Sequence, residues 1–390
     1  MNKGRKPGVP KLLRVLNDKA ALRLLLEEGP QTRTQLAERT SMSKVTASQM
    51  VERLENRGLV KAVGTKSGGR GPNASLYAAV GSYAYVVGIE VGPEHVRAAC
   101  ADFTGQIIGR ATLSTEENSG PAAVVKQLVD EAVTDAGIDP GDLHRVVVGT
   151  PGVIDPKSGD VGFSWDLPNW HAGIREELRR TLHVPVSIEN DVNLGAVAEQ
   201  RFGAGRGVDD FVYAWFGRGL GFGVILGGRF YRGATGAAGE AGFLPVSGVE
   251  LSHTEVQSRT EKGSFQMVAG GEAIIEIGRK YGFTGSTPEG IVTQALENGD
   301  LGRECLSEIA TRVALGVASA CIVLDPSRVI LGGPVGYAGG ESLASQVAEA
   351  TTRIAPVSPN VQPGEVSQDP VIRGGIRVGL DKVEETLFED

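Results

Sequence analysis

Between residues 17 and 58 the apolar positions return every three to four residues, the period of helices packed on one side. Ala21, Leu22, Leu24, Leu25 and Leu26 form the face of a first helix, which Asn17 or Asp18 can cap and Gly29-Pro30 stops. Thr32 or Thr34 opens a short second helix through Leu36 and Ala37 to Arg39. Ser41-Met42-Ser43 then turns the chain, and Ser43 caps a third helix from Lys44 to about Asn56, closed by Gly58. In it, Ala47, Met50, Val51 and Leu54 fall at helical spacing and face the core. The period then becomes that of strands. Leu59 to Val63 and Ser75 to Ala79 flank a tip, Gly64 to Pro72, that carries Lys66 and Arg70 and no apolar residue.

From residue 83 strand-like runs dominate. Tyr83 to Val91, Val96 to Asp102 and Ile107 to Leu113 are joined by short turns, and a helix from Pro121 to Ala136 leads to a strand from Arg145 to Gly149. The same order returns later. Asp210 to Phe216, Leu220 to Leu226 and Arg229 to Tyr231 precede long helices, one from about Gly302 to Leu324, and a strand from Arg328 to Leu331 that ends in Gly332-Gly333. Two copies of three turn-linked strands followed by helices and parallel strands are an internal repeat. Two such α/β lobes enclose a cleft, the default place for a small ligand. The chain divides into a head of residues 1–80, a first lobe of 81–200 and a second lobe of 201–390, with the C-terminal helix expected to return to the first lobe.

Charge separates the same units. Residues 1–80 hold 15 Lys and Arg against 6 Asp and Glu, a net +9; the other 310 hold 24 against 41, a net −17. A small basic module on an acidic body points to a polyanion-binding head. A helix-turn-helix reads base edges with the outer residues that open its second helix. Here those are Val45, Ser48 and Gln49, with Lys44 and Arg53 at the flanks where phosphates lie. Gln49 can bond adenine bidentately, and Val45 can touch a thymine methyl. Lys66 and Arg70 fit the wing of a winged helix, with Arg70 suited to a narrow A·T minor groove. The expected partner is double-stranded operator DNA; the alternative is a winged helix used for protein contacts. There is no uninterrupted run of eighteen apolar residues, so no membrane span and no membrane partner are expected. Cys100, Cys305 and Cys321 share no metal-like spacing, which fits a reducing cytoplasm.

Four stretches, taken in order, resemble one family. Thr150-Pro151-Gly152-Val153-Ile154-Asp155 resembles the Pro-Gly segment near the sugar in the ROK family of repressors and sugar kinases. Glu189-Asn190-Asp191-Val192-Asn193 resembles its Glu-Asn-Asp-x-Asn stretch, and Gly233 to Gly242, with Glu240 inside, resembles its Gly-x-x-Gly-x-Ala-Gly-Glu-x-Gly stretch. Ile330-Leu331-Gly332-Gly333 resembles its nucleotide-side Gly-Gly. The resemblance spans essentially the whole chain, including the winged-helix head that ROK repressors carry. It implies a winged helix on a two-lobed α/β body of the actin/hexokinase-like, ribonuclease H-like fold. It also implies a transcriptional regulator, a repressor of carbohydrate-related genes, that acts as a homodimer or dimer of dimers. A sugar or sugar-phosphate effector would sit between the lobes, with Asn190, Asp191 and Glu240 as the polar groups left to hold it.

The departures from that pattern carry their own expectations. A ROK kinase has Asp-x-Gly-Gly-Thr in its first hairpin, where this chain has Glu90-Val91-Gly92-Pro93-Glu94. Proline removes a backbone donor, and Glu94 puts negative charge where phosphates would lie. The second phosphate loop reads Gly217-Arg218-Gly219 in place of Gly-Thr-Gly. ATP is therefore expected to be absent, and no catalytic residue is assigned. Asp191 matches the kinase base, but a base without a phosphoryl donor transfers nothing. The family's Glu-x-Gly-His, whose histidine serves both sugar and zinc, reads Glu240-Ala241-Gly242-Phe243, and Val246 to Gly263 holds no cysteine, so zinc is expected to be absent. Two other readings stay open: a regulator that has lost its sugar response and answers to a protein partner, and a sugar kinase with a fused head.

Overall fold

The computed structural model describes residues 10–67, 73–115, 120–163, 173–249 and 263–388. Its head consists of α1 (Pro10–Glu28), β1 (Gln31–Thr32), α2 (Arg33–Arg39), α3 (Lys44–Asn56), β2 (Val60–Lys66) and β3 (Ala74–Ala79). The three strands form one antiparallel sheet in the order β1-β3-β2. Thr32 and Gln35 form a reciprocal capping box on α2, and Ser43 accepts the Thr46 N–H at the start of α3. Ala21, Leu22, Leu25, Leu36, Met50 and Leu54 are buried together beneath them. The first helix begins a full turn or more before the expected cap. Asp18 lies inside it, buried, where its carboxylate accepts from Arg53 and so has no need of a helix end.

The first lobe begins with β4 (Tyr85–Val91), β5 (His95–Asp102) and β6 (Ile107–Ser114), followed by α4 (Pro121–Ala136) and β7 (Leu143–Thr150). The short pair β8 (Val153–Ile154) and β9 (Val161–Phe163), then α5 (Ile174–Leu182), β10 (Val186–Asn190) and α6 (Asp191–Phe202), complete it. The second lobe repeats the plan with β11 (Phe211–Phe216), β12 (Leu220–Leu226) and β13 (Arg229–Phe230). After these come α7 (Ser264–Ala269), α8 (Gly271–Lys280), α9 (Pro288–Glu297), α10 (Gly299–Leu324), β14 (Arg328–Gly332), α11 (Gly333–Ile354), β15 (Val361–Pro363) and α12 (Pro370–Leu387).

The sheet orders, β10-β7-β4-β5-β6 and β15-β14-β11-β12-β13, are the same path walked twice. In each, an antiparallel hairpin meets parallel strands at its first member: β4 pairs β7 and β11 pairs β14. The carboxyl ends of β4 and β11 therefore face the cleft, where α/β sheets bind ligands. Among the described residues α10 is long and apolar enough to cross a membrane, but Leu306, Ile309, Val313 and Val317 put its apolar side in the second lobe's core.

The C-terminal helix α12 packs on β4, β7 and α6. The approach is close enough that a Cβ on Gly374 would fall 1.9 Å from the Leu194 carbonyl oxygen. Ile372, Ile376, Leu380 and Val383 of α12 share one apolar cluster with Leu22 and Leu25 of the head and with Val86 and Phe103 of the first lobe. Tyr83 packs on Phe103 with ring centroids 5.3 Å apart and the rings tilted, and the Phe103 N–H donates to the Gly81 carbonyl. Polar clasps border this seam. Arg23 of α1 bonds the buried Glu384 of α12 at 3.3 Å, and Glu27 of α1 pairs with Arg201 of α6. Arg57 donates to the Leu387 carbonyl and lies over the Phe388 ring.

Candidate nucleic-acid interface and ligand site

The outer face of α3 is open to solvent. Lys44, Val45 and Gln49 are exposed, with Val45 at 68%, and an apolar side chain so placed has no core role. Ser48 is half-buried and accepts a bond from the Arg33 guanidinium at 3.2 Å. Arg53 is also committed within the head. Its guanidinium forks onto Asp18 at 2.6 and 3.0 Å, which ties α3 to α1 and engages two of its five donors. Lys66 ends β2, exposed on the wing, while Arg70 lies outside the described residues. Arg33 was missed. It stacks on Tyr77 and reaches Ser48 and Glu55, so it supports the recognition face from α2. Its basic charge in the first turn of a helix, where the macrodipole favours acids, was the available signal.

The candidate effector residues lie where β10 runs into α6. Asn190 caps that helix, its Oδ1 accepting the Asn193 N–H and its Nδ2 donating to the Gly152 carbonyl, both at 3.1 Å. Much of its bonding capacity therefore serves the scaffold. Asp191 follows in the first turn and accepts its neighbour Val192's N–H at 2.8 Å. Glu240 comes from the glycine-rich loop of the second lobe. Burial, and then the charge of Asp191, push its carboxyl up to about 7. Asp191 is thus near enough for its charge to act on Glu240, while Asn190 serves mainly as a cap.

Two glycines fix that loop. Gly239 has φ +91° and would put a Cβ 1.9 Å from the Phe222 carbonyl oxygen; Gly236 has φ +86° and would put one 1.9 Å from that of Ile154. Phe222 belongs to the second lobe and Ile154 to the first, so the loop is wedged between them and aims Glu240 at α6. The Arg232–Glu189 ion pair, Nε to Oε2 at 3.1 Å, stitches the same edge and was not anticipated. Neither residue type at its position announces a partner 43 residues away.

The two hairpins that match the kinase phosphate loops in sequence position are bonded internally. In the first, the Gly92 N–H donates to His95, Pro93 offers no donor, and Glu90 is bound by Arg97 at 2.5 Å. In the second, the Gly217 N–H donates to Gly219, and Gln266 bonds both the Leu220 N–H and the Arg218 carbonyl. Phe243 stands where the family pattern has its histidine. Phe243 offers no ligand atom, and the cysteines are buried in β5 and α10. Among the described residues no group of three or more potential ligands converges. The stretch Val246 to Gly263 lies largely outside the described residues.

Head, body and cleft define a class: a winged helix fused to a two-lobed, sugar-kinase-like domain. The comparisons agree. Residues 86–378 match the ROK family, and residues 16–71 match the MarR family. The chain belongs to the ROK family. It is 26% identical over 347 residues to the xylose repressor of Caldicellulosiruptor bescii, covering 84% of this chain and 85% of that protein. In fold it is similar to a ROK family transcriptional regulator homologous to the E. coli MLC protein, with TM-score 0.75 and 17% identity over 96% of this chain and 98% of that one. It is similar also to a ROK glucokinase from Streptomyces griseus solved with glucose and AMPPNP, with TM-score 0.63 and 24% identity over 75% of this chain and 98% of that one.

Proposed function

We propose that this protein is a DNA-binding repressor of carbohydrate-related genes whose effector, a sugar or sugar phosphate, enters the cleft beside Asp191 and Glu240. The observation that carries the reading is the fused head: a winged helix with the outer face of α3 open, clasped to both helices that link the lobes. Arg23 holds α12 and Glu27 holds α6. A change in the angle between the lobes acts on α6 and α12, where the head is clasped, and thereby tilts the head. An effector acts by binding one head placement more tightly than the other. Operator binding as a homodimer or dimer of dimers accounts for a twofold site with half-sites spaced by whole helical turns.

Phosphoryl transfer is disfavoured by the two hairpins. Pro93 and Glu94 spoil the first, and Gln266 fills the tip of the second. The carboxyl pair supplies acceptors for sugar hydroxyls without a phosphate cradle beside it. The test is capture of sheared genomic DNA by the purified full chain, sequenced with and without xylose and other sugars. A palindrome beside sugar-utilisation genes, released by one sugar, supports the reading. Capture that no sugar alters transfers control to a protein partner, a reading favoured by the engagement of Asn190 in its cap. No capture at all overturns the repressor.

A further inference from the structure

Where α1 of the head meets α6 and α12, a cavity of about 290 Å³ opens, close to the lower end of the range of small-molecule sites. Every part of the chain lines it: Arg23 and Glu27 from the head, Arg201 from α6, Gly228 from the turn between β12 and β13, and Arg377 and Glu384 from α12. Gln200 ties α6 to that turn by donating to the Gly228 carbonyl at 2.9 Å. The cavity shares no lining residue with the Asp191–Glu240 pair or with the hairpins at Gly92 and Gly217.

Charge is balanced around this cavity, but hydrogen bonding is not. Arg23, Arg201 and Arg377 stand against Glu27, Asp381 and Glu384. The Glu384 side chain is 2% exposed and uses both oxygens, Oε2 on Arg23 at 3.3 Å and Oε1 on Arg377 at 2.5 Å. Arg377, 12% exposed, also forks onto Asp381 Oδ1 through Nε at 3.0 Å and Nη2 at 2.5 Å, while its Nη1 bonds nothing among the described residues. Arg201 gives one N–H to Glu27, and Arg23 gives one to Glu384. A guanidinium carries five N–H donors, so Arg23 and Arg201 each keep four and Arg377 keeps the two on Nη1. The unbonded nitrogens of Arg201 and Arg377 are open to water. On the acid side only one oxygen each of Glu27 and Asp381 is left over. What the cavity lacks is acceptors.

We propose that this cavity is a second ligand site, for a small oxyanion held between Arg23 of the head and Arg201 and Arg377 of the body. The carboxylates behind the guanidiniums hold them in place, as second partners do in preorganised anion sites. One oxyanion bonds three elements that meet at the seam. Occupancy therefore fastens the head to the body as a third clasp, between the Arg23–Glu384 and Glu27–Arg201 ion pairs. Binding here is independent of the proposed function; only its consequence for an operator rests on that reading.

The test is calorimetric titration of the full chain with phosphate, sulfate, 3-phosphoglycerate and succinate, with hydrogen exchange of α1 and α12 followed alongside. At least one probe is expected to bind saturably and to slow exchange on both sides of the seam; the phosphate, sulfate and carboxylate arms tell which oxyanion is preferred. None of the probes carries a sugar ring, so xylose should not displace them. Arg201→Gln and Arg23→Gln, both at partly open side chains, should keep their melting temperatures and weaken binding roughly tenfold or more. Arg303→Gln, at an exposed arginine of α10 outside the cavity, should bind as the parent does. No saturable binding by any probe at millimolar concentration overturns the proposal. So does binding that is unchanged in both folded cavity variants, binding weakened as much by Arg303→Gln, or binding that leaves exchange at the seam unaltered. A failure to capture DNA would overturn the repressor and leave these readings standing, so the two ideas fail separately.

Discussion

Replacing Glu240 with Gln removes a carboxyl that the fold holds in its acid form. In the unfolded chain this group ionises near 4.5; in the folded protein it does so at about 7. Between those values the folded state keeps a proton that the unfolded state has released. The stability tied to that proton is full below pH 4.5 and is lost as pH rises through 7. At 1.36 kcal/mol per pH unit the loss approaches about 3 kcal/mol by pH 8. Gln keeps the shape and cannot ionise. Urea unfolding of both proteins at pH 4.5, 6 and 8 should therefore show Glu240→Gln gaining on the parent as pH rises, by about 2–3 kcal/mol over the series. Asp191→Asn supplies the internal control. Burial is the larger cause of the shift and the Asp191 charge the smaller, so this variant should move the transition to lower pH without removing it. Parallel stability curves for Glu240→Gln and the parent would refute the coupled pair.

The head and the loop give further expectations. Arg53→Ala strands the buried Asp18 carboxylate and should cost about 1–3 kcal/mol of stability by denaturant titration; the salt slope of DNA binding at matched folded fraction should not change, as it would if Arg53 touched a phosphate. Gln49→Ala should leave stability unchanged and relax preference at one operator position by about 1–3 kcal/mol in a binding-site selection, whereas Lys66→Ala should weaken all sequences alike and lower the salt slope by about 1. Gly239→Ala, with its Cβ 1.9 Å from a carbonyl oxygen and φ +91°, should lower the melting temperature and abolish effector release in a DNA-binding assay. Arg23→Ala together with Glu27→Ala should leave operator affinity in place and blunt its response to sugar, since the clasps to α12 and α6 are gone.

Where the sequence carried a strong period, it was read to within a few residues. The third head helix, the strands at both hairpins and the helix at Pro121–Ala136 emerge with nearly the predicted bounds because their apolar spacing and caps agree. The start of α1 was misread because Asp18 looks like a cap and works as a buried ion-pair partner, a role set by Arg53 at 35 residues' distance. The same pairing gives Arg53 a structural task inside the head. β1 has only two residues and no period to see. In the cleft, residue types singled out Asp191 and Glu240 as candidates, but the engagement of Asn190, the Arg232–Glu189 stitch and the Arg97–Asp369 ion pair depend on which strands become neighbours.

The seam between head and body is built from the two ends of the chain. Leu22 and Leu25 lie near the start, and Ile376, Leu380 and Val383 near the finish, in one apolar cluster. The ribosome releases these partners some 350 residues apart, so the seat of the head is completed only after the last helix emerges. Until then the head's three helices and wing are tethered to a lobe with half of their dock missing. A chimera that exchanges residues 1–80 alone inherits the same gap. The natural unit of transplantation is therefore the head together with the α12 surface that receives it, and a sensor built on this scaffold should carry both.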